Sequence, residues 1–169
     1  MRTAGRPVVL VPPGGKAAEP PSTGRWRVVV PLDGSPAAFG AVEFLLAAYE
    51  SLPVDALLFQ AVIPHTLAGI HPPEPLLDVH ALGAEQERAR AMLAAAAKRF
   101  EARGIPVRTT VVLTSDPALG IIEAARAADA HLVVMCTRGQ GGLKRLALGS
   151  TANAVVRAAP VPVLLLAPE

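Results

Sequence analysis

HLVVMCTRGQGGLKRLALGSTANAVV fills positions 131–156 and changes character twice. His131 to Met135 is a nearly continuous apolar run, the composition of a strand buried on both faces. A glycine-rich loop follows over residues 138–149. A helix starts near Ser150 and stops at Pro160, whose ring cannot continue it. Strand, loop and helix in that order make half of a βαβ unit, and parallel strands need such a crossover.

The pattern repeats outward from this stretch. Downstream, Val163 to Leu166 reads as the last strand. Upstream, Asp116-Pro117 opens a helix, with Asp as N-cap and Pro at the first helical position. Ile122 and Ala125 face inward from it. Ile105 to Leu113 is the strand before. Residues 84–103 form the longest helix, with Ala89, Met92, Leu93, Ala96 and Phe100 on one face. Glu85, Glu87, Arg88 and Arg90 solvate its start, and Gly104 stands just past its C-cap. Ala56 to Ile63 is another apolar strand. Val42, Leu45, Leu46 and Tyr49 recur at helical spacing within 36–49. Arg27 to Leu32 is a β-branched strand, ended by the turn Asp33-Gly34-Ser35-Pro36. The order β-α-β-α-β-α-β-α-β predicts an α/β fold: a doubly wound, five-stranded parallel sheet with helices on both faces, Rossmann-like. Trp26 is expected just before the first strand, covering one end of the core.

Residues 12–25 are rich in Pro, Gly and small polar residues and read as a linker. The expected organisation is therefore an N-terminal strand-like segment and flexible linker over 1–25, and one domain over 26–169. Pro7 to Pro13 and Pro162 to Pro168 both read P-V-x-L-V/L-x-P. The first copy is either the relic of a preceding domain's last strand or simply another short apolar strand bounded by prolines.

The chain has 169 residues, 51% of them apolar, enough for one packed domain. Its formal net charge is +2. The basic residues are scattered and not interleaved with aromatics, so no nucleic-acid partner is expected. Cys136 is the single cysteine, so no internal disulfide forms, which favours a reducing compartment. The run Val8 to Val11 is shorter than the roughly seven residues a signal peptide needs. No stretch reaches the roughly 18 apolar residues of a membrane span. A cytoplasmic protein without membrane contact is expected.

In open α/β sheets ligands bind beyond the carboxyl ends of the strands, where the winding reverses. Two segments have the composition for that crevice. Pro31-Leu32-Asp33-Gly34-Ser35 places a carboxylate where it can accept hydrogen bonds from ribose hydroxyls or an adenine amino group. Gly149-Ser150-Thr151 opens a helix with unobstructed N–H groups, hydroxyls and the positive end of the helix dipole, which suits phosphate. Lys144, Arg145 and Arg138 stand near in sequence and can screen phosphate charge, although a solvated loop face explains Lys144 and Arg145 equally simply. Asp33 also makes sense as a plain turn residue, and Ser150 as a plain cap. Cys136, at a strand end, reads as packing before it reads as a redox sensor.

Over residues 26–168 the sequence resembles the universal stress protein family, whose fold is adenine nucleotide alpha hydrolase-like. The family's opening strand ends in a proline, an aspartate and a turn, matched by Pro31, Asp33 and Ser35. Its nucleotide-binding members carry G-x2-G-x9-G-S/T after the fourth strand. Gly139 stands at the second glycine, Gly149 at the third and Ser150 at the hydroxyl, while Cys136 replaces the first glycine. Starting the motif at Gly139 with Gly142 breaks the family spacing. Cys136 adds a Cβ and a sulfur at the crevice wall and narrows the site. The resemblance implies a nucleotide site formed by Pro31, Asp33, Ser35, Ala61, Cys136, Arg138, Gly139, Gly149, Ser150 and Thr151, with Ala61 lining the adenine pocket. It implies ATP, or AMP or ADP, as ligand, with Mg2+ only alongside a triphosphate. It also implies a homodimer paired through Val163 to Leu166, an edge that residues 7–11 either extend or compete for.

The leading expectation is an adenine-nucleotide-binding stress-response regulator acting through dimerisation and partner contacts. The rivals are a dimeric scaffold that binds no nucleotide and a weak ATP hydrolase. Related ATP pyrophosphatases carry a Ser-Gly-Gly-x-Asp-Ser loop after the first strand, where this chain has Leu-Asp-Gly-Ser-Pro. No nucleophile–base pair or carboxylate pair stands near the loop, so no catalytic residue is assigned and at most slow ATP hydrolysis is expected. His65, His71 and His80, with Glu74 and Asp78, fall in a long loop over 64–82. Their spacing puts no two ligands on one helix face, so a lid is expected there and no metal site.

Overall fold

The structure, a computed structural model, describes residues 7–12, 21–64, 79–137 and 148–167. Ten elements lie within them. They are β1 (Val8–Leu10), β2 (Trp26–Pro31), α1 (Pro36–Ala48), β3 (Val54–Val62), α2 (Val79–Glu101), β4 (Val107–Leu113), α3 (Pro117–Ala127), β5 (Leu132–Cys136), α4 (Ser150–Ala158) and β6 (Val163–Leu166).

Side-chain alternation along the central strands builds two cores. Val28, Val30, Leu58, Val134 and Leu164 face one way and pack under α1 and α2 with Leu45, Leu93 and Phe100. Val29, Phe59, Val133, Met135, Val163 and Leu165 face the other way, under α3 and α4 with Ile121, Ala125, Ala152 and Val155. A strand covered on both faces cannot afford polar residues on either, which is why these runs are continuously apolar.

The sheet has six strands, ordered β1-β6-β5-β2-β3-β4. Five are parallel and match the predicted five, each within a few residues of its expected bounds. The sixth, β1, lies antiparallel on β6, so the N-terminal segment extends the sheet. Three other differences have local causes. Trp26 is the first residue of β2 because its amide donates to the Pro53 carbonyl at 2.8 Å. β3 likewise starts two residues early, at Val54. α2 begins at Val79, so His80 is helical and not part of a loop. The caps are as read: Asp116 Oδ1 accepts from the amides of Ala118 and Leu119, and Gly104 takes a φ of +66° that suits glycine.

The winding reverses between β2 and β5. The chain runs from β2 outward through β3 to β4, then returns across the sheet to β5 and β6. Any crevice demanded by this topology therefore opens at the carboxyl ends of β2 and β5.

Candidate nucleotide site

The first lip of that crevice is the turn after β2. Pro31 ends the strand, half-buried, and the Leu32 amide ties down to the Phe59 carbonyl at 2.8 Å. Asp33 is exposed, and its Oδ1 accepts the Ser35 amide at 2.9 Å, closing an Asx turn. Gly34 takes a φ of +80°, which any Cβ would strain. Ser35 is buried, and its hydroxyl accepts the Ala38 amide at 3.1 Å as the N-cap of α1. The Ser35 side chain is therefore engaged within the protein.

The second lip is the end of β5. Cys136 is its last residue and is buried among the α1-side apolar residues. Its thiol donates to the Ala37 carbonyl in the first turn of α1 at 2.7 Å. A Cβ built on Gly40 would come within 3.4 Å of the sulfur, so a bare glycine helps accommodate the thiol under α1. Burial pushes the thiol pKa up; the Ala41 backbone amide partly offsets this, and the nearby Asp33 carboxylate reinforces it.

Beyond β5 the chain is pinned at its base. The Thr137 amide donates to the Leu166 carbonyl, and the Gly149 amide donates to the Thr137 carbonyl, both at 2.9 Å. This second bond sets the start of α4 directly over the end of β5. Gly149 is the N-cap of α4, and among the described residues no side chain caps the helix. Its φ of −58° is open to any residue, and an added Cβ would only reach ordinary contact, 3.5 Å from the Thr137 carbonyl oxygen. Neither strain nor crowding inside the described protein demands glycine at 149. Ser150 is exposed and Thr151 half-buried in the first turn. The first amides of α4 therefore form a donor cluster at the positive end of the helix.

Ala61 stands at the same end of the sheet, half-buried, two residues past Phe59, where the β2–β3 ladder ends. The topology thus gathers Pro31, Asp33, Ser35, Ala61, Cys136, Gly149, Ser150 and Thr151 at the carboxyl ends of three strands and the start of α4. Arg138 and Gly139, like Lys144, Arg145, His65 and His71, lie outside the described residues. Sequence reasoning missed Gln60, whose buried side-chain oxygen accepts no hydrogen bond among the described residues. A polar residue inside a mostly apolar strand was the signal available. Sequence reasoning also missed Gly120, where a Cβ would come 3.1 Å from Phe59.

The sequence model of the universal stress protein family matches residues 25–167. The chain belongs to the universal stress protein family. A universal stress protein of Mycobacterium tuberculosis is 33% identical over 169 residues, covering 98% of this chain and 52% of its own length. The chain thus spans about half the length of that curated relative. A universal stress protein structure from Burkholderia pseudomallei superposes with a TM-score of 0.67 at 25% identity, covering 88% of this chain and all of that one. A universal stress protein family structure from Arabidopsis thaliana, determined with AMP bound, superposes with a TM-score of 0.61 at 16% identity, over 85% of this chain and 92% of that one. Among the described residues, no helix of this family member is long and apolar enough to cross a membrane.

Proposed function

We propose that this chain is a cytoplasmic regulatory domain that binds an adenine nucleotide and acts through dimerisation and partner contacts. The observation that carries the reading is the uncapped start of α4, set over the end of β5 at the winding reversal. A helix N-terminus that closes with glycine leaves its amides to an outside acceptor, and a phosphate supplies one. Gly149, Ser150 and Thr151 hold the phosphate, with Arg138 and Gly139 of the loop. Asp33 accepts from the ribose or the adenine amino group, and Pro31 and Ala61 line the base. The AMP held by the Arabidopsis relative supports the ligand class. A triphosphate brings Mg2+ with it, since three phosphates exceed what one helix start neutralises.

Replacing the family's first glycine by Cys136 favours a second reading, a scaffold that binds no nucleotide. The burial of the sulfur under α1 weighs against it, because that thiol is spent on the Ala37 carbonyl. Isothermal titration with ATP and AMP, with and without magnesium, separates the two. Micromolar binding that is lost in Gly149→Val supports the nucleotide reading. Absence of heat up to millimolar nucleotide, from protein shown to be folded, leaves the scaffold.

A further inference from the structure

β1 and β6 carry the same motif, P-V-x-L-V/L-x-P, at Pro7 to Pro13 and Pro162 to Pro168. Aligned on their first prolines, Val8 matches Val163, Val9 matches Leu164 and Leu10 matches Leu165. The observed pairing is antiparallel, with Val8 opposite Leu165, Val9 opposite Leu164 and Leu10 opposite Val163. Val9 therefore faces its own counterpart, and Val8 and Leu10 each face the counterpart of the other. A two-fold axis acting on two identical strands imposes this reciprocal pattern, and an axis at the Leu164 position reproduces this register. A β6 strand from a second copy, set where β1 lies, would bring Leu164 against Leu164 and Val163 against Leu165.

β1 is held lightly in that place. It has three residues, Val8 is 50% exposed and Val9 56%, and Leu10 is the one strand residue that is partly buried, packing against the α3 and α4 face. β6 is apolar throughout, and all four of its residues are buried while β1 is in place. A short, lightly anchored strand over a wholly apolar edge is a replaceable cover.

We propose that β1 is an internal stand-in for the last strand of a second copy, so that β1 and a partner's β6 compete for one edge. The inference rests on the homodimer reading above and adds the device that controls it: association waits on release of β1. The occupant is a second copy of this chain, chosen by the self-complementary register.

Sedimentation velocity across a concentration series tests this on the full chain and on two full-length variants. Val8→Pro, Val9→Pro and Leu10→Pro together leave β1 without an amide donor whichever residues face β6, and loosen it. Val9→Cys with Leu164→Cys joins facing residues and, once oxidised, locks β1 down. If the edge is free in about a tenth of molecules, loosening should tighten dimerisation about 100-fold, because both copies must have released β1, and locking should abolish it until reductant is added. Equal association of the unaltered and loosened chains overturns the competition and leaves a dimer formed elsewhere. Weaker association of the loosened chain overturns it too, making β1 part of the interface. Undiminished association of the locked chain does the same. If no form associates, the competition and the homodimer reading both fail. Circular dichroism melts confirm that each variant is folded.

Discussion

β2 and β5 lie side by side, and their two ends are finished in opposite ways. At the amino ends the polar groups answer one another within the protein. The Arg27 amide donates to His131 Nδ1 at 3.0 Å, and the His131 amide returns to the Arg27 carbonyl at 2.8 Å. The Arg27 guanidinium donates to the Asp129 carbonyl at 2.7 Å and pairs with its carboxylate. Trp26 meets the His131 ring edge-on, with centroids 6.0 Å apart. At the carboxyl ends one helix start is closed by Ser35, while the other closes with Gly149 and has no side-chain cap. The first end is finished for stability. The second has no side-chain cap among the described residues, and its first amides are the donors on which the proposed nucleotide reading rests.

The comparison breaks most sharply if the open end is closed by substitution. Gly149→Asp supplies a cap and a negative charge to α4. Nucleotide affinity should fall at least about 100-fold, while unfolding free energy rises by a few tenths of a kcal/mol. Titration calorimetry and urea unfolding read the two effects separately, and retained binding would remove α4 from the site. Asp33→Ala deletes the carboxylate of the other lip. It should weaken binding about ten-fold, close to 1.4 kcal/mol. Its Asx turn also goes, so a melt must accompany the titration.

Changes at the closed end should do the reverse. Arg27→Ala should cost about 1 kcal/mol of stability, since Asp129 is exposed and screened, and leave nucleotide affinity unchanged. The smallest effect concerns pH. His131 has its pKa lowered, first by desolvation and then by the Arg27 charge, partly offset by Asp129. As pH falls through its ordinary value of 6.5, the unfolded chain takes up this proton before the folded one does. Stability attributable to His131 is therefore full above pH 6.5 and declines below it. Urea midpoints measured from pH 8 to 5 should show this decline, and His131→Phe should flatten it without changing binding.

The sequence made the five parallel strands and their helices legible because burial on both faces leaves apolar runs, and because caps such as Asp116 and Gly104 act within a few residues. The switch-point crevice followed from topology, and Asp33, Gly149 and Ser150 followed from motif spacing. Three features were out of reach. The repeated P-V-x-L-V/L-x-P motif pointed β1 to the Val163 to Leu166 edge, but the antiparallel direction of this pairing, between residues more than 150 positions apart, has no local signal. The side on which Cys136 lies depends on strand register; alternation puts it with Val134, under α1. The cluster of Arg27, Asp129 and His131 likewise forms across about 100 residues, from side chains unremarkable in isolation.

β1 also decides how the molecule behaves in a crowd. Pro7 and Pro12 bracket its three residues, and neither ring carries an amide hydrogen. An incoming strand would find a template three residues long, with one proline directly before it and another just past Val11, neither able to donate. Fibre growth by edge addition needs a longer unbroken ladder than that. With β1 in place, this rim of the sheet is too short a seed for open-ended stacking, even in a concentrated solution.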